Sequence, residues 1–349
     1  FKTLLSTLMA AVIASTALAA EDFYAGKVIH LIVSSDATGT YDAYARTMAK
    51  HMPRFIPGNP TIVVQNMPGA GGIRAATFMA TTALKDGTYI AATHADIPTS
   101  HLSNPKEAQY DPTKFGWIGS VTKELYGGYF WHTAKARTFQ DAFTMSPIMG
   151  GTSPGSFTID AAIIANEFFG TKFKIVTGYK SSSENQLAIE RGEIDGAMGT
   201  SWNNIQARDD GTGKLFVFVQ YGLTRNPRIP NIPSYIEFAK NDADREAVRY
   251  LVARLDHGKI YFTPPGIPAD RLGILRKAFD RAVVDPEFLA DVKAQKLDMD
   301  GPMNGEDLAK LVAQEAATPP EAIHRIQNAI DKFKEAKDRK STRLNSSHV

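Results

Sequence analysis

Gly151-Thr152-Ser153-Pro154-Gly155 has the G-x-S-x-G spacing of a serine nucleophile on a strand-to-helix turn, with Asp195 and His257 downstream in the chain order such a relay uses. The chemistry would be acyl transfer, and it fails at one residue. The amide after the nucleophile has to donate to the oxyanion, and Pro154 has no amide hydrogen. A secreted α/β hydrolase using Ser153 is therefore the alternative reading, behind one in which the same loop holds a ligand by hydrogen bonds. Metal chemistry finds no better footing. The eight histidines show neither HExxH nor H-x-x-x-H spacing, and the chain has no cysteine. No metal site and no cofactor is expected.

The second chemistry is anion binding. Thr38-Gly39-Thr40-Tyr41-Asp42 follows the β-branched run Val28 to Val33 and precedes Ala43, Tyr44, Thr47 and Met48 at helical spacing. A strand, a Gly/Thr loop and a helix beginning near Thr40 or Tyr41 leave the first helical amides facing the loop, where an anion can be held. Asp42 in that first turn would repel an anion if it faced inward, so it is expected to bond loop amides or a bridging water. The pattern returns with Thr152, Ser153, Gly155 and Ser156 ahead of a helix from Phe157 to Phe169. His94, at the end of the strand Thr88 to Thr93, and Ser201, where the strand Ile194 to Met198 opens into Gly199-Thr200-Ser201-Trp202, complete the candidate contacts. Phe157 and Trp131 could wall a ligand or belong to the core. Asn66 to Gly72 imitates a dinucleotide fingerprint but carries Arg74 where the third glycine belongs, so no nucleotide is expected.

These elements need a large α/β scaffold, and 349 residues suffice for two domains. Residues 1–20 read as a secretory signal peptide with Ala17-Leu18-Ala19 at the cleavage site. No other stretch approaches a membrane span, so a soluble periplasmic protein is expected. Setting aside Lys2 and Arg343 in the two ends, 37 basic residues remain against 37 acidic ones. That balance argues against a nucleic-acid partner. Residues 341–349 carry no periodicity and read as a disordered, appended tail.

The order of strands and helices predicts one lobe from 21–125 with 258–340 and a second from 126–257, joined by a two-strand hinge with a ligand cleft between them. The loops 37–42 and 151–156 fall in different lobes, so a carboxylate is expected to be gripped from both sides without any arginine. Closure about the hinge is then an equilibrium that the ligand shifts.

Several stretches also resemble one family. They are Gly39-Thr40-Tyr41-Asp42 with Ala45-Arg46, Val64 to Gly72, Asp86-Gly87-Thr88, Gly178-Tyr179-Lys180, Arg191 to Asp195, Arg225 to Pro233 and Pro264 to Pro268. In that order and spacing the chain resembles, over residues 27 to 335, the substrate-binding proteins of tripartite tricarboxylate transporters, the Bug family. The resemblance implies a type II periplasmic binding-protein fold. It also implies capture of a small carboxylate (di- or tricarboxylate, amino acid or aromatic acid) at residues 38–42 and 151–156, and delivery to integral-membrane permease subunits. Ala37-Thr38 stands where Pro-Gly is common, and Phe157 to Asp160 lacks the usual His-Leu. A solute sensor for a membrane receptor would share the same fold.

Overall fold

The computed structural model describes residues 23–346 except 38, 104, 155, 180, 181 and 210, so the signal-peptide expectation lies outside the described residues. The chain divides into two compact units, the first comprising residues up to 123 and 257–317, the second 124–256 and 318 onward. Among the described residues no helix is long and apolar enough to cross a membrane.

The first unit opens with β1 (Val28–Val33), β2 (Thr61–Asn66), β3 (Tyr89–Thr93) and β4 (Gly116–Ser120). The second contains β5 (Tyr126–Trp131), β6 (Ile148–Gly151), β7 (Lys174–Thr177), β8 (Gly196–Ser201) and β9 (Leu215–Tyr221). The chain then returns to the first unit as β10 (Ile260–Thr263) and β11 (Met303–Asn304). The first sheet has the order β2-β1-β3-β10-β4-β11, with β1, β2 and β3 parallel and β10 antiparallel to both its neighbours. The second has the order β7-β6-β8-β5-β9, with β6 parallel to β7 and β8 and β5 antiparallel to β8 and β9. The five shared positions follow one plan: three parallel strands, one antiparallel strand inserted, and a fifth beyond it.

Strand composition explains the layering. Along β1, Leu31 and Val33 enter one core cluster with Tyr44, Met48 and Phe279, while Ile32 enters another with Met79, Trp117 and Phe262. Successive side chains point to opposite faces, so a strand apolar at consecutive positions must be covered on both. The same alternation places Phe130 of β5 in one cluster and Tyr129 with Trp131 in another. Each such fully buried side chain stabilises the fold by about 1.5–3 kcal/mol. Trp131 is thus core rather than ligand wall.

Two assignments change at the C-terminus. Residues 318–340, placed by sequence in the first lobe, pack on the second unit, where Ala322, Ile326 and Ala329 join its core. Arg325 pairs with Asp244, and Lys332 Nζ lies 2.8 Å from Glu167 Oε1. The helix Pro320–Ser346 also runs through residues 341–346, expected to lack order, because adding residues to an established helix needs no new nucleus.

A pH-sensitive cap sits in the second unit. Asp141 Oδ2 accepts the amides of Arg137 at 2.8 Å and Thr138 at 2.9 Å, and these backbone bonds hold its carboxyl below the usual range. A depressed folded pKa contributes stability above the unfolded value and loses it as pH falls through the folded one. The stability gap between the wild type and Asp141→Asn should therefore shrink between about pH 5 and pH 2 in urea melts. A gap constant with pH would refute this.

Candidate functional site

Both loops are built the same way, each within its own unit. In the first, the Gly39 amide donates to Asp36 O at 3.1 Å, Gly39 is extended at φ −80°, ψ 158°, and the Ala43 amide returns to Gly39 O at 3.1 Å as the helix Thr40–His51 begins. In the second, the Ser156 amide donates to Ser153 O at 3.1 Å, Ser156 is extended at φ −86°, ψ 142°, and the Asp160 amide returns to Ser156 O at 2.9 Å as the helix Phe157–Ile164 begins. Neither helix has a side-chain cap: Gly39 has none to offer, and Ser156 Oγ donates to Ser153 O at 2.6 Å. First-turn amides lack intrahelical acceptors, so each loop presents donors to an acceptor from outside the helix. The amides of Gly39 and Ser156 themselves close the turns, and the outward donors lie one or two residues further on.

Asp42 departs from expectation. Its buried carboxylate takes Arg46 Nε at 2.7 Å and Asn66 Nδ2 at 2.7 Å, and Asn66 Nδ2 also reaches Ser35 O at 2.9 Å. The side chain therefore ties the helix start to the end of β2 and to the loop. Nearby, Tyr41 packs on His94 with ring centroids 4.5 Å apart, and Lys259 Nζ lies 3.9 Å above the Tyr41 ring. Ser34 Oγ accepts the His94 amide at 3.1 Å and lies 2.9 Å from His94 Nδ1. Ser34 thereby holds the His94 backbone and ring together at the end of β3. Thr40 is exposed and Tyr41 and His94 are half-buried, while Thr38 and Gly155 lie outside the described residues.

The second unit holds a cavity of about 140 Å³ lined by Thr152 and Ser201, together with Thr158, Asn185, Gln186 and Arg208 and further residues of the same unit. Ser153, Ser156 and Phe157 do not line it. Phe157 is buried beneath, edge-on to Tyr221 at 5.0 Å and under the Arg254 guanidinium at 4.7 Å. Gly199 allows that packing: it has φ +59°, and a Cβ there would stand 2.6 Å from Phe157 Cδ1.

Among the described residues Arg208 is the charged one lining this cavity, a residue that the expectation of a grip without arginine did not include. Its charge acts on the hydroxyl of Tyr129, which donates to Gln186 Oε1 at 2.8 Å. Burial pushes the Tyr129 hydroxyl up to about 12, with the Arg208 charge working against that rise. Sequence reading passed over Asn185 and Arg208 because each lies inside a helix, Ser182–Glu190 and Trp202–Asp209, beyond the loops searched. The available signal was Asn204 and Arg208 at i, i+4 just after the strand end at Ser201.

The hydrolase parts are committed elsewhere. His257 is fully buried in the first unit, with Nδ1 2.9 Å from Ala95 O and Nε2 2.7 Å from Glu315 Oε2, so neither ring nitrogen is available to a nucleophile. Asp195 Oδ2 accepts the Ile148 amide at 2.7 Å. Ser153 also lacks the positive φ of a strained elbow. Among the described residues His51, Asp285 and Glu287 bring three potential metal ligands together, but Arg54 bonds both carboxylates and His51 bonds Asp291.

No family model matches the chain. It is 25% identical over 310 residues to the "UPF0065 protein in gbd 5'region" of Cupriavidus necator, covering 86% of this chain and 88% of that protein. Among solved structures, a TctC solute binding protein from Polaromonas without ligand matches with a TM-score of 0.69 at 20% identity, over 86% of this chain and 99% of that one. MatC from Rhodopseudomonas palustris, with bound malate, matches with a TM-score of 0.53 at 20% identity, over 87% and 99%. The fold is that of periplasmic solute-binding proteins of the TctC and Bug kind, the architecture that the sequence resemblance implies.

Proposed function

We propose that this chain is a periplasmic solute-binding protein of the tripartite tricarboxylate type, which captures a small carboxylate and passes it to membrane permease subunits without altering it. The observation that carries the reading is the repeated device of a self-closed turn leading into an uncapped helix start, once in each unit of a solute-binding fold. A carboxylate supplies what each helix start lacks, an anionic acceptor. Ligand contacts are assigned to Thr38–Asp42 with His94 and to Thr152–Ser156 with Ser201, Phe157 serving as support from below. MatC, of like fold, holds malate, a small carboxylate of this kind. Binding without turnover agrees with the occupied nitrogens of His257 and with Pro154.

A thermal-shift screen against small mono-, di- and tricarboxylates and amino acids tests this. A ligand at a hundred times its Kd stabilises the folded state by about 2.7 kcal/mol. In a protein of this size that raises Tm by roughly 4 °C. The bound acid should be recovered unchanged by NMR. Absence of a shift with every member of the panel, or its conversion, would refute the proposal.

A further inference from the structure

A cation stands over an aromatic ring at both helix starts. In the first unit Lys259 Nζ lies 3.9 Å from the centroid of the Tyr41 ring, and Tyr41 is the second residue of the helix Thr40–His51. In the second unit the Arg254 guanidinium lies 4.7 Å from the centroid of the Phe157 ring, and Phe157 is the first residue of the helix Phe157–Ile164. Helical side chains lean toward the N-terminus, so a cation over a first-turn ring stands near the end with open amides. Each first turn also holds a buried carboxylate, Asp42 or Asp160, whose charge opposes a bound anion. A nearby cation reverses that balance.

The two cations come from one short stretch. Arg254 belongs to the last turn of the helix Asp242–His257, and Lys259 immediately precedes β10, on either side of the point where the chain passes from the second unit to the first. Each half of the stretch is fixed within its own unit. In the second, the Glu124 amide donates to Leu255 O at 2.8 Å. In the first, His257 is buried against Ala95 O and Glu315, and the Lys259 amide donates to Thr122 O at 3.1 Å. β10 runs antiparallel to β3 with Ile260 opposite Thr93, so the next position, Lys259, falls beside His94, whose ring packs on Tyr41.

Resting on the carboxylate reading above, we propose that Arg254 and Lys259 are affinity-determining residues of the two loops: each is seated on a first-turn ring and supplies the positive charge that holds a ligand carboxylate at its helix start. The ring keeps the cation in place by cation–π attraction. Loop amides set the direction of the bound carboxylate, and the cations set how strongly it is held.

Titration calorimetry with L-malate, adipate and citrate, together with the acid giving the largest shift in the carboxylate screen, tests this. Lys259→Met and Arg254→Met remove the charge at nearly constant length, and each should weaken the acids that the wild type binds by roughly tenfold. The corresponding Gln variants serve if Met disturbs folding. Lys259→Arg and Arg254→Lys keep a cation over the ring and should recover most of the loss. Wild-type affinity should also fall as sodium chloride rises from about 0.02 M to about 0.5 M, and fall less in each Met variant, a difference that a merely structural role does not produce. Unchanged affinity in either Met variant, a loss that the charge-keeping variants do not recover, or a salt dependence in the Met variants equal to that of the wild type would overturn the inference while leaving carboxylate binding intact. A wild type that gives no shift across the whole carboxylate screen would overturn both.

Discussion

Gly258→Ala is expected to be among the most damaging single-methyl additions in the chain. Gly258 adopts φ +58°, and a Cβ there would stand 1.7 Å from the carbonyl oxygen of Thr122 and 2.7 Å from its carbon. Two separate costs add. The left-handed conformation costs an L-residue about 1–2 kcal/mol. The overlap is with backbone, so no side chain can rotate out of the way. Relief requires the backbone around 258 and 122 to separate, and that segment carries the Lys259 amide to Thr122 O at 3.1 Å and the Val121 amide to Lys259 O at 3.0 Å. These bonds continue the pairing of β10 with β4 where the chain re-enters the first unit. A loss of about 3 kcal/mol or more follows, a fall in Tm of roughly 4 °C or more. Gly266→Ala is the matched control: φ is +79°, but no heavy atom lies within 4 Å of the added carbon. Only the conformational cost of about 1 kcal/mol applies there. Calorimetric melts of both variants should differ by several degrees, and equal shifts would show that the backbone contact is relieved without penalty.

Asp42→Ala is expected to loosen the first loop at its anchor. The carboxylate is buried and receives Arg46 Nε and Asn66 Nδ2, both at 2.7 Å. A hydrogen bond to a charged group contributes about 1.5–3 kcal/mol. Arg46 is 52% exposed, so its share is screened by solvent, and the variant should lose about 2 kcal/mol in all. Asp42→Asn preserves the shape and one acceptor for Asn66, and should lose roughly half as much. Urea titration measures both. The loop reading adds a second signature, weaker carboxylate binding in Asp42→Ala, because the helix start loses its tie to Asn66. Wild-type stability in Asp42→Ala would mean that the pair contributes nothing net.

Local order was readable wherever one segment contained its own cause. Val28 to Val33 announces a doubly covered strand by apolar residues at consecutive positions. The turns before residues 40 and 157 announce themselves by Gly, Ser and Thr followed by helical spacing. The helix Asp242–His257 carried an equally plain signal, with Ala247, Val248, Leu251, Val252 and Leu255 all buried on one face, and is absent from the segments assigned by sequence. Arg46, four residues after Asp42, was within reach of the same kind of reading. Asn66 was not, because its bond to Asp42 spans 24 residues and depends on the pairing of β1 with β2.

By itself the sequence determined the order of the first ten strands and of most helices, the two turn-and-helix loops, the failure of the serine motif at Pro154 and the resemblance to carboxylate-binding proteins. Each rests on periodicity, on a missing amide or on neighbours a few residues apart. Tertiary structure alone decided that residues 318–340 pack on the second unit, that the amides of Gly39 and Ser156 close their own turns, and that Asn185 and Arg208 line one cavity. Helical periodicity shows that a face is apolar but not which sheet will cover it. Likewise an asparagine and an arginine 23 positions apart come to line one cavity only when β6 pairs on either side with β7 and β8, the strands that precede the two helices carrying them.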